Sequence, residues 1–370
     1  MLFRSRRAVR AHRAPNRVAG VCVELVEVGA DGALYVHTVG ADLYKLDADT
    51  GDTIWGPVRT YALPGADGTS SPVIGGGKVI VGHSAGVTNE IGTEEAAASS
   101  IGGVEAFDIE SGERAWTYTT CEGSENGAMV WSTVTIDLEA SVVFAATGNN
   151  YTVVGENSDA LHAIDLASGE RLWKTQVREG DQWSLSTGGS LDTDFGANPI
   201  LATIGDRKVV AAGDKGAAFW VLDRETGEIV WSKEELSSAH NPSNGGVLNN
   251  GAYDGEHFFF VSNQPPATAI LHAVNADDGT PLWPTKSFSK IVWGMPSLAN
   301  GLLVVPVNDE LHIYNAATGE MLNMFDTIGT IAAGAPAIAD GMIIVKSGMQ
   351  YIFGGSQALL NDKVYAYGLP

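Results

Sequence analysis

The residues best suited to chemistry lie in short polar runs between positions 128 and 199. Packing of a repeated β unit alone would not require these runs. Elsewhere the chain has no nucleophile elbow, His-rich zinc motif or dinucleotide fingerprint. Gly75-Gly-Gly-Lys78 lacks the spacing and the strand-to-helix context of a phosphate loop, and it reads as a hairpin turn. The runs are Ala128-Met-Val-Trp-Ser-Thr-Val-Thr-Ile-Asp137, Val143-Phe-Ala-Ala-Thr-Gly-Asn-Asn-Tyr-Thr152, Ser158-Asp-Ala-Leu-His-Ala-Ile-Asp165, Gln176-Val-Arg-Glu-Gly-Asp-Gln-Trp183 and Asp194-Phe-Gly-Ala-Asn-Pro199.

Net charge excludes one class of partner. The 370 residues include 44 acidic and 22 basic side chains, a formal charge of −22 at pH 7, so most of the surface would repel nucleic acid. Arginines crowd the first seventeen residues, which predicts a disordered basic tail at 1–18, or an imperfect gene start, ahead of a single domain at 19–370. We see no signal-peptide core and no membrane span. Cys22 and Cys121 are too few for a disulfide framework.

An internal repeat defines the elements that must position these runs. Leu43-Tyr-Lys-Leu-Asp-Ala-Asp-Thr-Gly-Asp-Thr-Ile-Trp55 recurs with its tryptophan at 116, 173, 231 and 283, and a sixth copy ends at Asn323 instead. Each copy predicts two strands around an Asp-to-Gly turn, in which the glycine supplies a positive φ. Another hairpin precedes each copy, so the unit is a four-stranded blade. We expect the repeated tryptophan to pack between neighbouring blades.

The blade count predicts an all-β fold, a β-propeller of four-stranded antiparallel blades. Six full blades are followed by three strands of a seventh, around 332–338, 342–346 and 363–369. Seven blades is therefore the expectation, with eight as the alternative. Because an open sheet edge is a liability, we expect Val21 to Val28 to supply the strand that closes the seventh blade.

The polar runs, taken in order, resemble the quinoprotein alcohol dehydrogenases, and they are most similar to the polyvinyl-alcohol dehydrogenase branch. The likeness in architecture extends over residues 30–370, and it reaches motif level from about 70 to 235. It implies pyrroloquinoline quinone (PQQ) and Ca²⁺ as cofactors and oxidation of a small or polymeric alcohol. It also implies an external electron acceptor such as a cytochrome and a periplasmic or secreted location.

The same resemblance implies a set of site residues. Asp194 is the candidate catalytic base, with turn capping as the alternative. Glu94 or Glu95, with Glu90 as a further candidate, and Asn198 are the expected Ca²⁺ ligands, since Ca²⁺ prefers hard oxygen donors; an ordinary surface charge is the alternative for the glutamates. The residues expected to bind the quinone are Trp131, Ser132, Asn149, His162 and Lys215.

Two features depart from the family pattern and favour a second hypothesis. Ser99-Ser100 stands where the polyvinyl-alcohol branch carries a cysteine pair, and His162 stands where related enzymes stack a tryptophan under the quinone. Histidine recurs in the same repeat position at 272 and 312, which favours a structural role for it. The alternative function is therefore a protein-binding scaffold that kept the blades and lost the cofactor.

Overall fold

A computed structural model provides the coordinates, and the described residues form 28 strands and no helix. These strands make seven sheets, and in all but the second sheet the hydrogen-bonded neighbours follow chain order. This is the architecture of a seven-bladed β-propeller, and it confirms the fold class predicted from the repeat. The described residues are 25–38, 40–61, 66–85, 100–183, 192–237, 245–264, 267–327, 331, 334–347 and 363–368.

The first three sheets carry the polar runs. The first consists of β1 Leu25–Val28, β2 Ala33–His37, β3 Asp42–Asp47 and β4 Thr53–Arg59. The second consists of β5 Ala66–Asp67 and β6 Val73–Gly75, which both pair with β7 Lys78–Ala85, then β8 Gly103–Asp108 and β9 Arg114–Thr119. The third consists of β10 Thr135–Asp137, β11 Val142–Ala146, β12 Ala160–Asp165 and β13 Arg171–Gln176.

Four further sheets follow. The fourth consists of β14 Ile200–Ile204, β15 Arg207–Asp214, β16 Ala218–Asp223 and β17 Ile229–Lys233. The fifth consists of β18 Ala252–Tyr253, β19 His257–Gln264, β20 Thr268–Asn275 and β21 Lys286–Phe288. The sixth consists of β22 Ser297–Ala299, β23 Leu302–Val307, β24 Glu310–Asn315 and β25 Met321–Asp326. The seventh has three described strands, β26 Ala337–Ala339, β27 Met342–Ser347 and β28 Lys363–Gly368.

The repeated tryptophans pack against the next sheet, as predicted. Trp116, 8% exposed, lies over Gly169, where an added Cβ would be 2.7 Å from the ring. Its Nε1 donates to the carbonyl of Leu166 at 3.0 Å. The same pairing of a ring with a turn glycine and of Nε1 with a turn carbonyl recurs at Trp55, Trp173, Trp231 and Trp283.

Contacts group the described residues into two compact units. One lies within Ala14–Leu201 and Leu222–Val230, and the other within Ala202–Val221 and Trp231–Pro370. In the first unit, a core of buried side chains fills the space between the second and third sheets, including Ile80, Val104 and Val143. In the second unit, Phe259, Leu271 and Val305 belong to the core between the fifth and sixth sheets.

The strand at Leu25–Val28 corrects one expectation. It pairs antiparallel with Ala33–His37 in the first sheet and does not supply a fourth strand to the seventh. Gly32, with φ of 77°, closes a short hairpin between these two strands. The expectation that this segment completes the seventh sheet is therefore wrong for its described part. The basic tail at 1–18 lies outside the described residues, and a single domain at 19–370 stays a prediction.

Candidate functional site

Asp194, in the segment before β14, packs against the main chain of Gly148, in the loop that follows β11. An added Cβ on Gly148 would lie 2.9 Å from Asp194 Oδ1 and 3.2 Å from Trp131 Nε1. These separations leave no room for a side chain, so glycine permits the carboxylate and the indole to approach the same point of the backbone. The carbonyl of Gly148 also accepts a hydrogen bond from the Asp159 N–H at 3.1 Å, which ties the far end of the loop to this point.

Asn149 binds the same carboxylate oxygen of Asp194. Its backbone N–H donates to Asp194 Oδ1 at 2.6 Å, a bond that favours the charged carboxylate. Its side-chain amide donates to the carbonyl of Asn150 at 2.7 Å and to the carbonyl of Trp183. Because both amide hydrogens are used, the orientation of the amide is fixed and Oδ1 is left to accept from, or ligate, another group.

Three buried carboxylates converge at this point. Asp159, Asp181 and Asp194 each offer an oxygen, and these oxygens lie within 4.8 Å of one another. None of the three side chains is more than 6% exposed. We call this group the acid cluster. Its carboxylates come from three separate segments, namely the start of β12, the segment that follows β13 and the segment that leads into β14.

Thr193 connects two members of the acid cluster through one hydroxyl. Its Oγ1 lies 2.9 Å from Asp159 Oδ1 and 2.9 Å from Asp181 Oδ2. Since a hydroxyl has one hydrogen to donate, two ionised carboxylates cannot both be satisfied by it. The Thr193 N–H also donates to Asp181 Oδ2 at 2.5 Å. Asp181 therefore accepts two hydrogen bonds from Thr193, which stabilise its ionised form over that of Asp159. The geometry thus favours a proton on Asp159.

The electrostatic surroundings of Asp159 also favour its protonated form. Burial, followed by the charges of Asp181 and Asp194, raises its pKa well above the ordinary range. No described residue donates to its Oδ2, which is buried. The residue also has φ of 48°, a left-handed conformation that aspartate tolerates better than most residues. Buried repulsion and an unusual backbone conformation at one residue are typical of a functional site.

Trp131 and Ser132 lie in the run before β10, and Trp131 Nε1 comes close to Gly148, as the Asp194 carboxylate does. Trp131 is half-buried and packs with Met129 and Tyr151. Ser132 Oγ is buried and has no hydrogen-bond partner among the described residues. A planar indole, an unsatisfied hydroxyl and the Asn149 amide make a donor and acceptor set that a planar, oxygen-rich ligand fits.

The donor set of the acid cluster also fits a hard divalent cation. Three buried carboxylates crowd one point, and the Asp159 Oδ2 and Asn149 Oδ1 atoms accept no hydrogen bond from the described residues. Ca²⁺ takes six to eight such oxygen ligands from carboxylates and amides. A cation held here would relieve the mutual repulsion that otherwise keeps a proton on Asp159.

His162 lies within β12. Its ring is fully buried, with Nδ1 2.8 Å from Tyr118 Oη and Nε2 3.2 Å from the carbonyl of Asn157. Burial lowers its pKa to about 4, so the ring is neutral. His272 and His312 are buried in the same repeat position. The role of His162 at a quinone stays a prediction.

The remaining predicted residues are distributed as follows. Asn198 Oδ1 accepts a hydrogen bond from the Thr133 N–H at 2.9 Å. Lys215 is half-buried in the turn between β15 and β16, in the other compact unit. Glu94 and Glu95 lie outside the described residues. The ligand roles of all four stay predictions.

Asp159 and Asp181 are the functional candidates that sequence reasoning missed. Each lies inside a polar run that had been singled out, but neither was given a role. The available signal was their place in two of the polar runs: Asp159 comes two residues before the repeat copy at 161–173, and Asp181 comes eight residues after it. Within the described ranges, no helical segment has the length and apolar character needed to cross a bilayer.

Comparison with family models gives two matches along the chain. The model described as PQQ, Glucose/ethanol/alcohol dehydrogenase, beta-propeller domain, matches residues 59–249. The model described as Outer membrane protein assembly factor BamB matches residues 267–360. The first match contains the acid cluster and all of the described residues that surround it.

Curated relatives are similar to part of this chain. Polyvinylalcohol dehydrogenase of Pseudomonas sp is 29% identical over 272 residues, covering 64% of this chain and 42% of the relative. Quinohemoprotein alcohol dehydrogenase ADH IIB of Pseudomonas putida is 27% identical over 240 residues, covering 53% of this chain and 32% of the relative. The matched region thus spans less than half the length of these relatives.

Solved structures share the fold at low identity. The quinohemoprotein alcohol dehydrogenase from Comamonas testosteroni has a TM-score of 0.74 at 19% identity, covering 92% of this chain and 66% of that chain. BamB from Moraxella catarrhalis has a TM-score of 0.62 at 18% identity, covering 93% of this chain and 84% of that chain.

Proposed function

Because the chain belongs to the family of PQQ-containing glucose, ethanol and alcohol dehydrogenase β-propeller domains, we propose that it oxidises an alcohol with PQQ and Ca²⁺. The observation that carries the proposal is the convergence of Asp194, Asn149 and the acid cluster in the matched region. Blade packing alone would not place three buried carboxylates within 4.8 Å of one another. The curated relatives at 25–29% identity are named as alcohol dehydrogenases.

The described residues divide into two tasks. Asp194 and the Asn149 amide oxygen would hold Ca²⁺, together with Glu94 or Glu95 and Asn198 as the resemblance suggests. Trp131, Ser132 and Lys215 would contact the quinone. When bound, the quinone accepts two electrons from the alcohol, and Ca²⁺ supplies a positive charge beside it.

Asp194 would accept the hydroxyl proton of the alcohol. Its Oδ1 receives the Asn149 N–H at 2.6 Å, which orients the carboxylate. With Ca²⁺ held at the acid cluster, the neighbouring Asp159 would give up its proton, because the cation offsets the repulsion among the carboxylates. A separate acceptor such as a cytochrome would take the electrons, in the periplasm or outside the cell.

Quinone titration tests this proposal. With millimolar Ca²⁺, the purified chain is expected to take up PQQ, followed by absorbance or calorimetry, and to reduce an artificial dye when given a primary or secondary alcohol. Asp194→Asn should lower dye reduction by about 100-fold or more, the usual effect of removing a general base. Asp49→Asn, an exposed turn residue, is the matched control and should leave the rate unchanged.

A non-catalytic scaffold is the second candidate, and the match of residues 267–360 to the BamB model favours it. The buried position of His162 favours it as well. Failure of the wild-type chain to take up PQQ would establish this alternative over the oxidation. Equal dye reduction by wild type and Asp194→Asn would refute the role given to Asp194.

A further inference from the structure

Part of the linker between β9 and β10 runs along the loop that carries Asn149. The Ala128 N–H donates to the carbonyl of Asn149 at 2.8 Å, and Gly127 pairs with Asn150 in an antiparallel bridge. The main chain of Asn149, whose N–H binds Asp194, is therefore hydrogen-bonded to a segment that lies outside the strands of the third sheet.

Asn126 continues this pairing with its side chain. Its Oδ1 accepts the Thr152 N–H at 2.9 Å and the Tyr151 N–H at 3.3 Å, and its Nδ2 donates to Thr152 Oγ1. Its main-chain carbonyl accepts Nδ2 of Asn150 at 2.8 Å. A single asparagine, 4% exposed, thus binds each of the three residues that follow Asn149.

Glu125 binds the other end of the same loop. Its Oε1 accepts the Glu156 N–H at 2.9 Å, and its Oε2 accepts Nδ2 of Asn157 at 2.7 Å. Asp159, a member of the acid cluster, follows Asn157 by two residues. Two consecutive residues of the linker therefore hold the loop both at the end near Asn149 and at the end near Asp159. Blade packing does not account for these contacts, because neither linker residue lies in a strand.

Removing the Asn126 amide would release the main chain next to Asn149. Three of the amide's hydrogen bonds go to the two residues after Asn150, and the first of these, Tyr151, is buried. A buried main-chain N–H is costly to leave without an acceptor, so we expect the segment to move until it finds new partners. Asn149 is joined directly to Asn150 and would move with it. The Asn149 Oδ1 and N–H are the groups proposed above to ligate Ca²⁺ and to orient Asp194.

We propose that Asn126 is a positioning residue of the metal site. By fixing the segment that follows Asn149, it keeps the Asn149 amide oxygen and N–H in the arrangement that binds Ca²⁺ and Asp194. The proposal rests on the Ca²⁺ site proposed above, and it adds a residue that acts on the cation only through Asn149. Loss of Asn126 therefore lowers the affinity for Ca²⁺ and lowers the reaction rate only as a consequence.

Calorimetric titration of the chain with Ca²⁺, in the absence of quinone, measures this affinity. Asn126→Ala should bind Ca²⁺ about tenfold more weakly than wild type, the effect of losing a small group of buried hydrogen bonds. Wild-type affinity in the folded variant, or no binding of Ca²⁺ by wild type, would overturn the proposal. Where Asn126→Ala does not fold, Asn126→Ser keeps a shorter polar side chain and should weaken Ca²⁺ binding by about threefold; unchanged affinity in it would overturn the proposal equally.

Asn263→Ala is the matched control. Asn263 is 1% exposed, and its amide binds the main chain of Val292 through Oδ1 at 3.1 Å and Nδ2 at 3.0 Å, in the other compact unit. Both variants should lower the thermal midpoint, because each loses hydrogen bonds to main-chain groups. Only Asn126→Ala should lose Ca²⁺ affinity. An equal loss of affinity in the two variants would indicate general destabilisation and would refute a positioning role.

Amide hydrogen exchange reports on the loop itself, with chelator present. Peptides that cover residues 148–157 should exchange faster in Asn126→Ala than in wild type, and Asn263→Ala should leave their exchange unchanged. Asn126→Asp keeps an oxygen for the two N–H groups, and its second oxygen can accept from the Thr152 hydroxyl. Exchange in Asn126→Asp should therefore stay near that of wild type. Unchanged exchange in Asn126→Ala would show that the loop does not depend on Asn126.

A third measurement uses the chain loaded with PQQ. Because Asn126→Ala loses affinity for the cation, raising the Ca²⁺ concentration about tenfold should restore its alcohol-dependent dye reduction toward that of wild type. Asp194→Asn lacks the base itself and should not be restored. Failure of added Ca²⁺ to restore Asn126→Ala would contradict a role through the metal site.

The positioning role and the oxidation fail in different ways. If no alcohol reduces the dye while Asn126→Ala binds Ca²⁺ more weakly than wild type and Asn263→Ala does not, the oxidation is refuted and the positioning role is upheld. If alcohols are oxidised and the folded Asn126→Ala keeps wild-type Ca²⁺ affinity, the oxidation is upheld and the positioning role is refuted.

Discussion

Without metal, Asp159→Asn should be more stable than wild type, and the difference in the free energy of unfolding should grow as pH rises. At 4.8 Å and an effective dielectric constant of about 20, two ionised carboxylates repel by about 3.5 kcal/mol. Wild type avoids this by keeping a proton on Asp159, whose pKa is raised by burial and by its acidic neighbours. Asparagine reproduces the size of the protonated side chain and can still bond Thr193 Oγ1, which now lies 2.9 Å from Asp159 Oδ1.

The sign and size of this difference in stability follow from proton linkage. Between the unfolded pKa near 3.9 and the raised folded pKa, the native state binds one proton more than the unfolded state, so wild type loses about 1.4 kcal/mol per pH unit as pH rises. Asparagine does not titrate. The advantage of the variant is thus absent near pH 4 and grows to at most about 4 kcal/mol at pH 7.

Thermal unfolding measures this difference. With an unfolding entropy of about 2.1 cal/mol/K per residue and 370 residues, a gain of ~4 kcal/mol raises the midpoint by about 5 °C. The midpoints of variant and wild type should be compared at pH 5 and pH 7 with chelator present, and Asp49→Asn serves as control. A gap that does not widen from pH 5 to pH 7 would contradict the reasoning.

Calcium should narrow the difference in stability between Asp159→Asn and wild type at pH 7. Ca²⁺ at a hundred times its Kd stabilises a folded protein by about 2.7 kcal/mol, and wild type offers one more carboxylate to the cation than Asp159→Asn does. The added stability on going from chelator to Ca²⁺ should therefore be larger for wild type. Equal stabilisation of both proteins would show that the acid cluster is not where Ca²⁺ binds.

Three further substitutions test the surroundings of the site and the blade packing. Gly148→Ala places a Cβ 2.9 Å from Asp194 Oδ1 and should lower alcohol-dependent dye reduction by at least about tenfold, whereas Gly40→Ala, whose nearest contact is 3.7 Å, should not. Trp116→Phe keeps a ring but removes a hydrogen bond to a turn carbonyl, and urea unfolding should show a loss of about 1–3 kcal/mol. Burial lowers the pKa of His162 to about 4, so between pH 6.5 and pH 4 the ring is protonated in the unfolded state but not in the folded state. As pH falls through this range, the free energy of unfolding of wild type should therefore drop by about 1.4 kcal/mol per pH unit relative to His162→Phe. An unchanged value in any of these assays would refute the corresponding contact.

The blade repeat could be predicted because its signals are local. An aspartate, a glycine and a tryptophan recur every 52–61 residues, and each has one physical task. Asp108 Oδ1 accepts the N–H of Ser111 at 2.8 Å, Gly112 adopts a φ of 71°, and the tryptophan of the preceding blade, Trp55, lies over that glycine. Turn chemistry of this kind depends on a few consecutive residues, so the sequence contains all that is needed.

The pairing of β1 with β2 could have been predicted from the same local chemistry. Ala30-Asp-Gly32 is a turn signal between two apolar runs, and the Gly29 N–H donates to the Ala33 carbonyl at 2.9 Å. A neighbouring strand that is reached by so short a turn forms a hairpin at little cost in loop closure. Pairing with the far end of the chain was therefore the weaker hypothesis for Leu25–Val28.

The acid cluster could not be predicted from spacing, because its members are set by the way three segments meet. Asp159, Asp181 and Asp194 are 22 and 13 residues apart, and no periodicity relates them. Gly148 leaves room for Asp194, and the main-chain N–H of Asn149 binds the Asp194 carboxylate. Asp159 adopts a left-handed conformation, and its N–H donates to the carbonyl of Gly148. The polar runs thus marked the right segments, and only the folded chain shows that their charges oppose one another. That opposition predicts affinity for a cation, since a fold that buries like charges together is stabilised most by whatever neutralises them.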